Sequence, residues 1–162
     1  MKSKLYILIP ATILIFAAVL GAQVPSDKNA NPSSDDSEVR PPVTKADVKI
    51  VQRAREILSS PSQWNRADTR VCPQEAKIFS LYCALEKATD EVSGNFKHRG
   101  AAMQETRFVI DEIAPNRKNY EHRLMGYNND PTTTFADIQK VLRLVEERIA
   151  KRVTEESQGS KK

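Results

Sequence analysis

Glycine, histidine, cysteine and the aromatic residues are all scarce in this chain. Its 162 residues include 5 glycines, 2 histidines and 2 cysteines, and only 6% are aromatic. Each shortage excludes something. With so few glycines, one of them at position 21 in an apolar leader, no phosphate-cradling loop, dinucleotide fingerprint or G-x-S-x-G elbow occurs. His98 and His122 stand in no H-x-x-x-H or H-E-x-x-H spacing, so one helix cannot supply a zinc site. No metal or other cofactor is expected. The net charge of +4 is spread among residues of both signs rather than gathered into a basic stripe with aromatics, which argues against nucleic acid. Sustained period-2 alternation is also missing, so no sheet is expected.

What is present begins with a leader. Lys2 and Lys4 precede an uncharged run from Leu5 to Leu20, followed by Gly21 and Ala22. Residues 1–22 thus read as a secretory signal cleaved after Ala22. The run falls short of the about 20 apolar residues that span a bilayer comfortably. Extended through Val24 it becomes a marginal span, so the alternative is a retained inner-membrane anchor over residues 5–24. Both readings place the remainder outside the cytoplasm, periplasmic or secreted. Residues 23–43 hold Pro25, Pro32, Pro41 and Pro42 among Ser, Asp and Asn, and are expected to form a flexible tether. Residues 44–154 make one domain, and residues 155–162, "EESQGSKK", are expected to be a disordered polar tail.

The domain reads as helical. Thr44 and Asp47 form a capping-box pattern ahead of Val48, Val51, Ala54, Ile57 and Leu58, and "SSP" at Pro61 ends that helix. A second helix starts at Leu81 after Ser80 and stops at Gly94, which suits a left-handed terminus. A third covers Ala101 to Ile113, before Pro115. The last carries the stripe Phe135, Ile138, Val141, Leu142, Val145, Ile149 and Val153.

Cys72 and Cys83 are expected to pair if the domain is exported. One continuous helix would separate them by about 16 Å, whereas bridged Cα atoms lie within about 7 Å. The pairing therefore requires an irregular segment over Pro73 to Phe79. The rival is two buried free thiols.

The densest polar and aromatic stretch is "NYEHRLMGYNNDPTTTF", Asn119 to Phe135. His122 as a base, with Asp130 orienting it or binding a cation, is the catalytic reading. The structural reading is a helix-to-helix corner. Asn and Asp bond nearby backbone, Pro131 fixes φ, and Thr134 with Asp137 forms another capping box. We favour the corner. A binding face would hold Trp64, Arg123, Tyr127, Asn128, Asn129 and Asp130, although a lone Trp after a helix is more often a core anchor. Arg66, Asp68 and Arg70 are expected to form loop salt bridges, although a pair of arginines can also hold a carboxylate ligand. Glu105, seven positions after His98, reads as part of a solvated stripe.

In the order "RAREILSSPSQW", "LYCAL", then "YNND" before a Thr-capped helix, the chain resembles a bacterial family of small helical proteins of unknown function. The likeness spans about Val48 to Ala150. The chain departs from that pattern at Glu86 and Lys87, where a Gly–Ala pair is usual, and in having Cys72. The resemblance implies an all-α fold and assigns no catalytic residue.

The expected architecture is a small irregular four-helix bundle with one disulfide-closed loop. The expected function is non-catalytic binding at the cell envelope, to an envelope protein or to an anionic cell-wall or lipid surface. The alternative is a small hydrolase or cation-dependent enzyme using His122 and Asp130. The sequence sets no oligomeric state.

Overall fold

The computed structural model describes residues 40–159. The signal or anchor, residues 23–39 of the tether and the last three residues lie outside the described residues. Five helices follow in order: α1 (Lys45–Ile57), α2 (Leu81–Ser93), α3 (Ala101–Ile113), α4 (Arg123–Asn129) and α5 (Phe135–Gly159). Short 3-10 turns sit at Pro61–Gln63 and Arg117–Asn119. Among the described residues the fold is all-helical, and its one extended contact is an isolated parallel bridge between Trp64 and Phe79.

Local chemistry sets the helix ends. The Asp47 carboxylate accepts both the Thr44 N–H at 2.8 Å and its hydroxyl at 2.7 Å. Asp137 does the same for Thr134 at 2.9 and 2.6 Å, and the Thr134 hydroxyl accepts the Asp137 N–H at 3.2 Å. The Ser80 hydroxyl accepts the Cys83 N–H, and Gly94 closes α2 with φ of 68°. These bonds satisfy amides that a helix terminus otherwise leaves orphaned.

The α5 stripe supplies the centre of the core. Ile138, Val141, Leu142, Val145 and Ile149 are all fully buried, at about 1.5–3 kcal/mol each. The α1 helix packs on both α2 and α5, while α3 packs on α5 and α4. Cys72 and Cys83 are bonded, with Cα atoms 5.3 Å apart, and residues between them turn irregularly before Ser80, as the spacing argument requires.

Three boundaries differ from expectation. A fifth helix, α4, occupies what looked like loop. Arg40 to Val43, expected as the end of the tether, pack on the domain: Val43 is buried, and the Arg40 guanidinium lies 4.3 Å from the Phe108 ring centroid. The final helix continues to Gly159, so residues 155–159 of the expected tail are helical, and those through Gln158 are exposed.

Glu105 also requires correction. It is fully buried rather than part of a solvated stripe, and its carboxylate accepts from Arg152 at 2.5 Å and Arg40 at 3.4 Å. This ion cluster ties α3 to α5 and to the entering chain.

Candidate functional site

The Asn–Asp corner is where the sequence placed its best candidate residues, and the structure spends them on the fold. Asn128 is fully buried. Its Oδ1 accepts from Trp64 Nε1 at 2.8 Å and from the Leu81 N–H at 3.0 Å. Its Nδ2 donates to the Asn65 carbonyl at 2.9 Å and to Asn129 Oδ1 at 3.0 Å. All four polar positions of the amide are used, one of them on the first N–H of α2. Asn129 grips the backbone of Asp68, accepting its N–H and donating to its carbonyl, each at 2.8 Å.

Asp130 is equally committed. Its Oδ1 accepts from the Thr132 N–H at 2.8 Å and hydroxyl at 2.6 Å, and its Oδ2 accepts from Asn116 at 2.9 Å and the Tyr120 hydroxyl at 2.8 Å. The Thr132 hydroxyl, Asn116, the Thr132 N–H and Tyr120 together hold this carboxyl well below the usual carboxylate range. With its acceptor positions filled, Asp130 does not orient His122.

Trp64 is half-buried against the core, with its ring centroid 6.3 Å from that of Phe135. Tyr127 is buried. Burial, then the charges of Asp137 and Asp130, push its hydroxyl up to about 12. Trp64, Tyr127, Asn128, Asn129 and Asp130, expected as a binding face, thus form a structural joint. The expected loop salt bridges are corrected too. Arg66 donates to the carbonyls of Asp130, Pro131 and Thr133 at 3.1–3.3 Å, and among the described residues neither Arg66 nor Arg70 makes an ion pair.

His122 and Arg123 lead elsewhere. Together with Arg70, Tyr82, His98 and Arg107 they line a narrow cleft of about 10 Å³, roughly the size of one water. Both histidines of the chain are thus in one site with three guanidinium groups. Arg70 Nη1 lies 3.0 Å from His122 Nε2, and Arg107 Nη2 lies 3.0 Å from His98 Nε2. A guanidinium only donates, so each Nε2 is the acceptor, and the ring proton is assigned to Nδ1. His98 Nδ1 faces the Tyr82 hydroxyl at 3.4 Å. Burial, followed by the nearby Glu86 charge, raises the pKa of that hydroxyl.

The arginines are held differently. Arg123 is buried and donates to Asp111 at 2.8 Å. Arg107 is buried and donates to Gln104 and, at 3.0 Å, to the His98 carbonyl. Arg70 is half-buried, and its guanidinium meets His122 and lies 5.9 Å from the Tyr82 ring centroid. Its backbone is unusual as well. Arg70 has φ of 61°, the one positive value outside glycine among the described residues. For an L side chain that conformation costs roughly 1–2 kcal/mol. The buried Asp68 carboxylate, which accepts the Arg70 N–H at 2.7 Å, keeps it there. Burial pushes the Asp68 carboxyl up, opposed by that N–H, by the Ser80 hydroxyl and by the Arg70 charge.

Sequence reasoning missed Arg70, Tyr82, His98 and Arg107 as a group. Arg70 and His122 are 52 positions apart, and no local spacing joins them. The one available signal was the nearness of Arg70 to Cys72 and of Tyr82 to Cys83, because the disulfide brings those pairs together. Among the described residues no group of three or more His, Cys, Asp or Glu is placed to hold a metal ion.

Fold and site define a small disulfide-closed helical domain with a cationic Arg–His cleft and a fully bonded Asn–Asp joint. The chain belongs to a family of unknown function, DUF6197, whose family model matches residues 42–148. Every cleft residue and both cysteines fall within that match, whereas Arg40 and Arg152 lie outside it. No curated protein and no solved structure matches the chain.

Proposed function

We propose that this chain is an exported, non-catalytic binding domain that receives an anionic group, a carboxylate or a phosphate, at the mouth of the Arg–His cleft, whose interior has room for about one water. The observation that carries the reading is Arg70. Its guanidinium is held in the cleft by a strained backbone and makes no ion pair among the described residues. Backbone strain persists where surrounding structure enforces it, and such positions cluster at ligand sites. Charge-assisted bonds from a guanidinium are among the stronger polar contacts a protein offers an anion. The hydrolase alternative loses its support, since Asp130, the partner it needs for His122, is committed to Thr132, Asn116 and Tyr120.

An anionic group at the envelope could belong to a free solute, a wall polymer or a lipid headgroup. Calorimetric titration with inorganic phosphate, acetate and phosphatidylglycerol vesicles separates these sources. Binding in at least one arm is expected, weakened about tenfold or more in R70Q through loss of the charged donor. Equal affinity of R70Q and the native chain in every arm, or no binding in any, would contradict the proposal.

A further inference from the structure

The loop closed by the disulfide carries a second surface that the cleft does not use. Val71 and Ile78 are the large hydrophobic residues left exposed among the described residues, at 71% and 52%. They immediately precede Cys72 and Phe79, both of which line a cavity of about 280 Å³ beside the disulfide. The floor of that cavity is Cys72, Cys83, Pro73 and Phe79, and its charged wall comes from α2: Glu86, Lys87, Asp90 and Glu91.

The charges on that wall are unequal. Lys87 and Glu91 pair at 3.2 Å, and Glu91 also accepts from Arg53 at 2.5 Å. Glu86 and Asp90 make no ion pair among the described residues. Glu86 is half-buried, and the desolvation that accompanies this raises its carboxyl, opposed by a hydrogen bond from the Tyr82 hydroxyl and assisted by the charge of Asp90. An apolar floor, two exposed aliphatic residues next to it in sequence and two carboxylates without an ion pair, one of them also bonded to the Tyr82 hydroxyl, ask for one kind of occupant. It must bring an aliphatic side chain to the floor and a cation to the wall.

The loop that presents this surface is held at both ends. The disulfide joins it to α2, and the Trp64–Phe79 bridge contributes Phe79 N–H to Gln63 carbonyl at 2.8 Å and Asn65 N–H to Phe79 carbonyl at 2.9 Å. A surface fixed before binding loses little further freedom when a partner arrives. We infer that the disulfide loop and the α2 wall form a docking surface for a partner-protein segment in which a lysine or arginine adjoins an aliphatic residue. This surface meets the anion cleft at Glu86, which bonds the Tyr82 hydroxyl, while Val71, Ile78 and Asp90 do not line that cleft.

The test uses the full chain and fluorescent octapeptides that differ at one central pair: Ile–Lys, Ile–Glu and Ser–Lys. Anisotropy should show Ile–Lys binding about tenfold more tightly than Ile–Glu, and Ser–Lys falling between them. The E86Q/D90N double variant should lose the preference for Lys over Glu. The V71S/I78S double variant should weaken Ile–Lys about three- to tenfold with unchanged melting. R70Q should leave all of this unaltered, so failure at the anion cleft is distinguishable from failure here. Equal binding of the three peptides would overturn the inference. So would concentration-dependent dimerisation that V71S/I78S abolishes, because the surface would then be an interface between copies of the chain.

Discussion

Asn129 reads the backbone of Asp68 as a neighbouring strand would, accepting its N–H and donating to its carbonyl, both at 2.8 Å. From there a short chain of contacts reaches the cleft. The Asp68 carboxylate accepts the Arg70 N–H, Arg70 holds φ of 61°, and its guanidinium meets His122. The corner at the end of α4 therefore sets the position of a residue 59 positions earlier in sequence, as the numbering shows.

This chain of contacts separates backbone from side chain at Arg70. R70G should be more stable than R70A by about 1 kcal/mol, since glycine accepts positive φ without the Cβ penalty. Both should lose anion binding equally. Urea denaturation of the pair checks the first statement, and R70A at least as stable as R70G would contradict it. N129A, which removes both bonds to Asp68, should cost about 1–3 kcal/mol and weaken anion binding although Asn129 does not line the cleft.

A methyl group at Gly126 would lie 2.6 Å from both Cβ and Cγ of Tyr120. Those atoms sit close to the Tyr120 backbone and cannot swing away as a side-chain tip would. G126A should therefore destabilise the domain by about 1–3 kcal/mol despite alanine's better helix propensity. A melting temperature at or above that of the native chain would show that Tyr120 yields.

How much of this was legible in the sequence divides along physical lines. The start of α1, both ends of α2, the C-terminus of α3 and the start of α5 were readable because Thr44 with Asp47, Ser80, Gly94, Pro115 and Thr134 with Asp137 act locally, whereas the continuation of α5 to Gly159 was not. The α4 helix was not readable: its seven residues, "RLMGYNN", include a glycine and two asparagines, all poor helix formers. Packing on α2 and α3 supports it instead. Glu105 was misread for a related reason. Charged residues on a helix normally face water, and only the tertiary arrangement brings Arg152 and Arg40 to it. The corner was recognised as structural, but its partners at Trp64, Asn65 and Asp68 lie in a loop without periodicity. The cleft draws on the loop at Arg70, on α2, on the α2–α3 connection with α3, and on the start of α4, and leaves no local trace.

The buried Glu105 makes Arg152 a sensitive position. R152A would leave a carboxylate with no exposed surface hydrogen-bonded to Arg40 alone, at 3.4 Å, with only the more distant charge of Arg148 besides, and should cost roughly 3–5 kcal/mol. Replacing both residues, as E105M/R152M, should recover most of that loss, because the buried charge disappears with its partner. Guanidinium denaturation of the two variants gives the comparison. A double variant no more stable than R152A would show that the pair contributes beyond mutual neutralisation.

Acid stability should depend on Asp130. Its folded-state pKa is depressed, so its contribution is present above the ordinary aspartate value of about 4 and is lost as pH falls below it. Asp68 has the opposite sign: its raised folded pKa gives a contribution present at low pH and lost as pH rises past that ordinary value. Between about pH 5 and pH 2, D130N should lose less stability than the native chain, although it starts lower at neutral pH. Parallel pH profiles for the two proteins would remove Asp130 from the account.

The central claim is that the Arg–His cleft receives an anion through Arg70. The chain has 2 histidines, and both line that cleft, so imidazole NMR signals report on it without interference from elsewhere. Titration of the full chain with inorganic phosphate, repeated with acetate, at constant pH and ionic strength is the most direct measurement. The account predicts saturable shifts of the His98 and His122 signals with at least one of these anions, lost in R70Q while that variant's helical signature is unchanged. Imidazole signals that do not move with either anion, or that move identically in R70Q, would contradict it.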